Sequence, residues 1–141
     1  IIDKSLNIPL NCNILKSLSK RRVIIFTSKD DKKFVKLKSL GCEIFLIKKI
    51  NNRGEFNLNL IMKKVLSLNI NNILVESGGI FFTKLLLRNL VDEIHVFKAP
   101  FDIGKSGKPM IINKKIEDLS LLEISKYNFG KDVYHHFTIQ K

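Results

Sequence analysis

The chain has 141 residues, enough for one domain with a core of useful size, and its 45% hydrophobic content excludes a disordered protein. No apolar run reaches the roughly 18 residues that span a bilayer, and the opening Ile1-Ile2-Asp3-Lys4 lacks the form of a signal peptide, so no membrane partner is expected. Net charge is +12, from 25 Lys+Arg against 13 Asp+Glu, which points to an anionic ligand. Only Arg21, Arg22, Arg53 and Arg88 are arginines, and most Phe residues sit inside apolar runs, so a small phosphorylated ligand is preferred to nucleic acid. Cys12 and Cys42 are far apart with no CxxC and no nearby His cluster; neither a metal site nor a disulfide is expected, and two free thiols suit a reducing cytoplasm.

Ile1-Ile2 reads as the end of a strand, as though a longer protein had been entered part-way. Residues 5–19 read as a connection containing Pro9. Residues 22–27 (Arg-Val-Ile-Ile-Phe-Thr) form a continuous apolar run, the pattern of a buried parallel strand. Ser28 is placed to cap a helix over 32–40 with Phe34, Leu37 and Leu40 on one face, stopped by Gly41. Residues 43–47 read as the next strand and Asn51-Asn52-Arg53-Gly54 as a turn. Asn57 is placed to cap a second helix with the stripe Leu60, Ile61, Val65 and Leu68. A third strand is expected over 72–76 and a third helix over 80–89. Residues 92–99 read as a strand, 101–108 as a loop, and 119–128 and 132–140 as strands joined in a hairpin through Phe129-Gly130-Lys131. The alternation predicts a single domain over 1–141, a three-layer α/β fold whose sheet is mainly parallel with antiparallel C-terminal strands.

The stretch Ile73-Leu74-Val75-Glu76-Ser77-Gly78-Gly79 carries the strongest chemical signal. A strand ending in Glu-Ser-Gly-Gly and turning into a helix makes an anion-binding corner, because glycine admits a ligand to the backbone and the first helical N–H groups face it. The alternative is a tight strand–helix turn without a ligand. Glu76 stands where open α/β sheets place ligands, at a strand's carboxyl end. Gly104-Lys105-Ser106 imitates the tail of a P-loop, but Ala99 stands where the first glycine belongs and Pro109 interrupts the required helix, so an NTPase is rejected. His135 and His136 are adjacent on a strand, point to opposite faces and cannot ligate one metal together. His95 alternates with apolar neighbours and reads as partly buried and satisfied.

Residues 73–79, Leu90-Val91-Asp92-Glu93-Ile94-His95-Val96-Phe97, Ala99-Pro100, the opening Ile1 to Leu10, and Val23 to Thr27 together resemble the reductase domain of the bifunctional deaminase/reductase of riboflavin biosynthesis. The closing Asp132-Val133-Tyr134 also fits, so the resemblance runs along essentially the whole chain. It implies a dihydrofolate-reductase-like fold. It also implies NADPH-dependent reduction of 5-amino-6-(5-phosphoribosylamino)uracil to the ribitylamino compound by a cytoplasmic homodimer, with the apolar strand 94–99 as the interface. Carried over by position, Glu76 matches a substrate-binding residue. Gly78, Gly79, Ile80, Phe81, Phe82, Thr83 and Lys84 match the segment around the cofactor's phosphates, and Thr27 with Ser28 lies near its adenosine side. Lys4 stands where the family usually has a small hydroxyl residue and is placed to pair with the cofactor's 2′-phosphate; Phe81 and Phe82 are bulkier than is usual there. The resemblance implies that the first strand region lies outside these residues, and it assigns no catalytic residue and no metal ligand. A reductase of another pyrimidine or pterin, and a basic nucleic-acid-binding module, are the competing readings.

Overall fold

The computed structural model describes residues 1–48, 54–113 and 116–140, which form two compact units, Ile1–Asn72 and Ile73–Lys141. The fold is mixed α/β, with parallel pairing in the first unit and antiparallel pairing in the second.

In the first unit the run that begins at Arg22 forms β1, Ile24–Thr27. It pairs in parallel with β2, Glu43–Leu46, in the register Ile24↔Glu43 to Thr27↔Leu46. Its other edge meets the chain start, where Ile2 bridges Phe26 in parallel and Asp3 N–H donates to the Phe26 carbonyl at 2.9 Å. A strand with neighbours on both edges is desolvated all round, and Ile25, Phe26 and Thr27 are buried accordingly. The connection to β1 carries one short helix, α1, Asn13–Lys16. Helix α2, Lys32–Ser39, lays Leu37 into the core beside Leu6, Leu15, Val23, Ile25 and Cys42. Phe34 is half-buried but Leu40 is exposed, so the stripe is narrower than expected.

The cap of α2 corrects the sequence reading. Asp31, not Ser28, accepts from the Lys33 and Phe34 N–H groups; the helix begins at Lys32, which leaves Ser28 too far upstream to reach its first turn. The stop is as expected, with Gly41 at φ +102°. Residues 51–53 of the predicted turn lie outside the described residues; Gly54 has φ +70°. Helix α3, Leu58–Leu66, is capped by the Asn57 side chain, which accepts from Leu60 N–H at 3.3 Å. Its buried face is Leu58, Ile61 and Val65. Lys64 lies over the Phe45 ring at 4.4 Å, and Phe45 stacks on Phe26.

In the second unit α4, Gly79–Leu86, follows the Gly78 N-cap; it ends three residues before the predicted limit, with Asn89 at φ +52°. The strands β3, Glu93–Lys98, β4, Leu121–Phe129, and β5, Asp132–Ile139, form one antiparallel sheet in the order β3-β5-β4. The hairpin is the expected one, turning at Gly130 with φ +63°. A bulge between Glu123 and Ser125 shifts the β4 register.

Two expectations fail here. Residues 71–78 form no ladder, so the third strand is absent, and Leu74 is 78% exposed. An apolar run biases a segment toward a strand, but a strand exists only where a neighbour supplies partners for its N–H and C=O groups. For the same reason the sheet is not mainly parallel: among the described residues β1, β2 and the Ile2 bridge pair in parallel, while the longer ladders are antiparallel.

Candidate functional site

In the first unit the structure gathers Lys4, Thr27 and Ser28 at the carboxyl end of β1. The Lys4 carbonyl accepts from Ser28 N–H at 3.1 Å, Ser28 Oγ at 3.0 Å and Thr27 Oγ1 at 3.2 Å. Thr27 is fully buried, and its hydroxyl also accepts from Lys29 N–H at 3.2 Å. The hydroxyls of Thr27 and Ser28 therefore hold the Lys4 backbone at the strand end, and the exposed Lys4 side chain passes over Gly54.

The second unit carries Glu76 and the segment from Gly78 to Lys84. Glu76 is exposed in the unpaired stretch before α4. The two glycines do different things. A Cβ at Gly78 would meet nothing within 4 Å, whereas at Gly79 it would collide with the Pro109 and Met110 carbonyls. Gly79 is thus required by a backbone crossing, and only Gly78 opens onto free space. No side chain caps α4, unlike α2 and α3; the Gly78 carbonyl accepts from Phe81 and Phe82 N–H at 3.1 and 3.2 Å. Thr83 is buried with its hydroxyl donating to the Gly79 carbonyl at 2.6 Å and accepting from Ile112 N–H at 2.8 Å, which fastens the 109–112 backbone to the helix. Phe81, Phe82 and Lys84 are half-buried and Ile80 is exposed. The Pro109–Ile112 contribution was not foreseen; a loop crossing a helix start leaves no mark in the sequence beyond the second glycine.

A cavity of about 260 Å³ opens beside the other end of α4, among Thr83, Leu86, Leu87, Val91, Ile111 and Ile139. Of the predicted residues only Thr83 lines it, so the cavity and the Gly78 corner are separate features. Cys42 is buried near Cys12, and burial, with Cys12 second, raises its thiol above the ordinary value, which disfavours the thiolate needed of a nucleophile or metal ligand.

The histidines fall as pairs with carboxylates. His135 and His136 point to opposite faces as expected: His135 Nδ1 lies 2.6 Å from Glu123 Oε1, and His136 Nε2 lies 3.0 Å from Glu93 Oε2. His95 departs from expectation, for it is exposed, stacked on His136 with ring centroids 4.4 Å apart, and 2.7 Å from the Tyr134 hydroxyl through Nδ1. Alternation could place Glu93 and His95 on one face; only the β3–β5 register, His95↔His136, brings the third residue to them.

Among the described residues no helix is long and apolar enough to cross a membrane. The riboflavin biosynthesis protein RibD of Aquifex aeolicus (strain VF5) is 31% identical over 139 residues, covering 97% of this chain and 37% of that protein. A 2,5-diamino-6-ribosylamino-4(3H)-pyrimidinone 5′-phosphate reductase of the same organism is 23% identical over 128 residues, 86% of this chain and 54% of that one. Among solved structures, Acinetobacter baumannii RibD superposes with a TM-score of 0.77 at 19% identity, over 100% of this chain and 37% of that one. The Saccharomyces cerevisia riboflavin biosynthesis reductase Rib7 gives 0.79 at 16% identity, over 100% and 68%; at these identities the likeness speaks for fold. The chain spans little more than a third of the RibD relative, 37%. The model of the RibD C-terminal domain matches residues 1–134, and the chain belongs to that family.

Proposed function

We propose that this chain is the C-terminal part of a dihydrofolate-reductase-like riboflavin-pathway reductase domain, with a three-layer arrangement in the whole domain. It would reduce 5-amino-6-(5-phosphoribosylamino)uracil, or the closely related pyrimidinone phosphate, to the ribitylamino product with NADPH. The observation that carries the reading is the open, uncapped Gly78 corner within a chain of this family. A dinucleotide phosphate needs backbone N–H donors and room for close approach, and a helix start without a side-chain cap beside the open Gly78 supports both. Backbone amides of Gly79 and Ile80 would hold the phosphates, with Lys84 one turn along adding charge. Thr83 contributes by keeping the 109–112 backbone against the helix. In the first unit, Thr27 and Ser28 would shape the adenosine side and Lys4 would pair with the 2′-phosphate. Glu76 would bind the substrate. When bound, the nicotinamide supplies the hydride; the protein orients the reactants and excludes water.

The exposed run Ile73–Val75 supports the reading that further sheet partners belong to the complete domain, since three such side chains in a parallel sheet are normally covered on both faces. A homodimer through β3 is favoured by its place at the sheet edge and by Phe97, which is exposed. The test is calorimetric titration with NADPH and NADH at low and moderate salt, followed by turnover of the pyrimidine substrate. Preference for NADPH with a shallow salt slope is expected, because one dinucleotide makes few phosphate contacts. A folded chain that binds neither nucleotide would remove the cofactor site from these residues, and a Lys4→Ala variant with unchanged NADPH affinity would remove the 2′-phosphate role.

A further inference from the structure

The face of the second unit's sheet that carries His95 holds a donor set that reduction of a pyrimidine does not use. Glu93 and His95 are two residues apart on β3 and share a face, and His136 is the cross-strand partner of His95 on β5. Their ligand atoms all lie within 4.8 Å of one another. Glu93 Oε2 is 3.0 Å from His136 Nε2 and 3.5 Å from His95 Nε2. Two ligands bound to one tetrahedral ion at about 2.0–2.1 Å stand about 3.3 Å apart, and the two Glu93–imidazole separations lie either side of that value. The second nitrogen of His95 is also engaged: Nδ1 lies 2.7 Å from the Tyr134 hydroxyl. In the tautomer where Nδ1 donates to that oxygen, the Nε2 lone pair is left for a metal ion, the arrangement by which an outer residue orients a metal-bound imidazole. The His95 and Glu93 side chains are 42% and 54% exposed, so an ion can enter without rearrangement of the sheet.

We infer that Glu93, His95 and His136 bind a divalent ion of the zinc, cobalt or nickel class, held by two imidazole nitrogens and one carboxylate oxygen. Two nitrogens exclude magnesium and calcium as the preferred ions, since these take oxygen ligands. Three protein ligands leave a coordination position to solvent, and the ion clips β3 to β5 at one register position. Without metal, the other His95 tautomer serves: Nε2–H faces the Glu93 carboxylate, the Tyr134 hydroxyl donates to Nδ1, and His136 Nε2 donates to the same carboxylate. The inference is independent of the reductase reading, because no cofactor or substrate enters it.

The test is titration of the full chain with zinc chloride near neutral pH, followed by heat and by melting temperature, with cobalt chloride as a spectroscopic probe. One saturable site is expected, with a melting temperature that rises with zinc concentration. Cobalt is expected to show ligand-field absorption without thiolate charge transfer. Tyr134→Phe is expected to weaken zinc roughly 10-fold or more, in the range of outer-residue effects on metal affinity, and His136→Gln and Glu93→Gln to weaken it further. His135→Gln, on the opposite face, leaves binding unchanged. Paramagnetic broadening of the His95 and His136 imidazole resonances by cobalt in the unaltered protein gives a readout that needs no variant. Absence of saturable zinc binding, binding undiminished in a Glu93→Gln/His136→Gln double variant, or binding abolished by alkylation of Cys12 and Cys42 would each overturn the site.

Discussion

The two units organise their apolar residues differently. In the first, Ile25, Phe26 and Thr27 of the short strand β1 are buried, and Leu37 of α2 is fully buried in the same core as Ile25. In the second, the strands are longer, yet Phe97, Leu122, Ile124, Tyr127 and Phe129 all remain exposed. The difference follows from how each sheet is held. A parallel pair needs a crossover, here through α2, which buries it, whereas an antiparallel sheet can stand with one face uncovered. Stability should therefore be concentrated in the first unit, and open surface for association or ligands in the second.

Paired substitutions test that contrast most sharply at the extremes of burial. Leu37→Ala leaves a cavity in the first unit's core and is expected to cost about 2–5 kcal/mol. Leu74→Ala, at a side chain 78% exposed, is expected to stay within about 0.5 kcal/mol. Urea unfolding of both variants decides the matter; equal losses would mean that residues 73–75 are covered in solution and that the contrast is wrong.

The adjacent glycines give the next largest effect. At Gly79 an added methyl group meets the Pro109 and Met110 carbonyls, both backbone atoms that yield poorly, so Gly79→Ala is expected to cost roughly 1–3 kcal/mol as overpacking. At Gly78, where φ is −69° and the space is open, alanine should be tolerated in the fold but should weaken NADPH binding by crowding the phosphates. A Gly78→Ala protein with wild-type NADPH affinity would take the corner out of the cofactor site. Between these and the surface effects fall the caps. Asn57→Ala is expected to cost about 1 kcal/mol, read as a lower melting temperature, because Leu60 N–H loses its acceptor at the start of α3.

Which features could be read from the sequence depends on how far apart the residues that decide them are. Asn57, Gly41 and Gly130 act within a turn of their own position, and each does what its chemistry foretold. The buried strand at 24–27 was legible because a continuous apolar run has few other uses. Residues 72–76 carry the same kind of run but no ladder, since pairing is decided by neighbours distant in the chain. Helix α2 begins at Lys32 as expected, but the cap is Asp31 and not Ser28, because only the residue next to the first turn reaches its N–H groups. At the candidate site, Ser77-Gly78-Gly79 announced a corner, but the sequence could not say that one glycine faces open space while the other lies against Pro109. The Glu93, His95 and His136 group was half visible: alternation put two of its members on one face, and the third depended on a register between strands 41 residues apart at the paired histidines.

The smallest effect expected lies on the rim of the first unit, where Arg22 and Glu43 form an exposed bidentate pair linking the segment just before β1 to the start of β2. The hydrogen bond from Arg22 is the main cause that lowers the Glu43 carboxyl below its ordinary 4.5, with the charge of Arg22 and then Lys64 adding to it. The sign follows directly. A carboxyl that is more acidic folded than unfolded binds fewer protons in the folded state, so its contribution is present above 4.5 and is lost as pH falls below that value through the folded one. Glu43→Gln should therefore flatten the acid limb of the stability profile below 4.5 and change little near neutrality beyond the small loss typical of exposed pairs. Added salt should shrink even that difference, because both groups face water. A variant whose deficit grew instead as the pH was lowered would show that Glu43 is paired no better in the folded chain than in the unfolded one. The first unit would then hold its two strands by their backbone ladder and by burial, without a contribution from the pair.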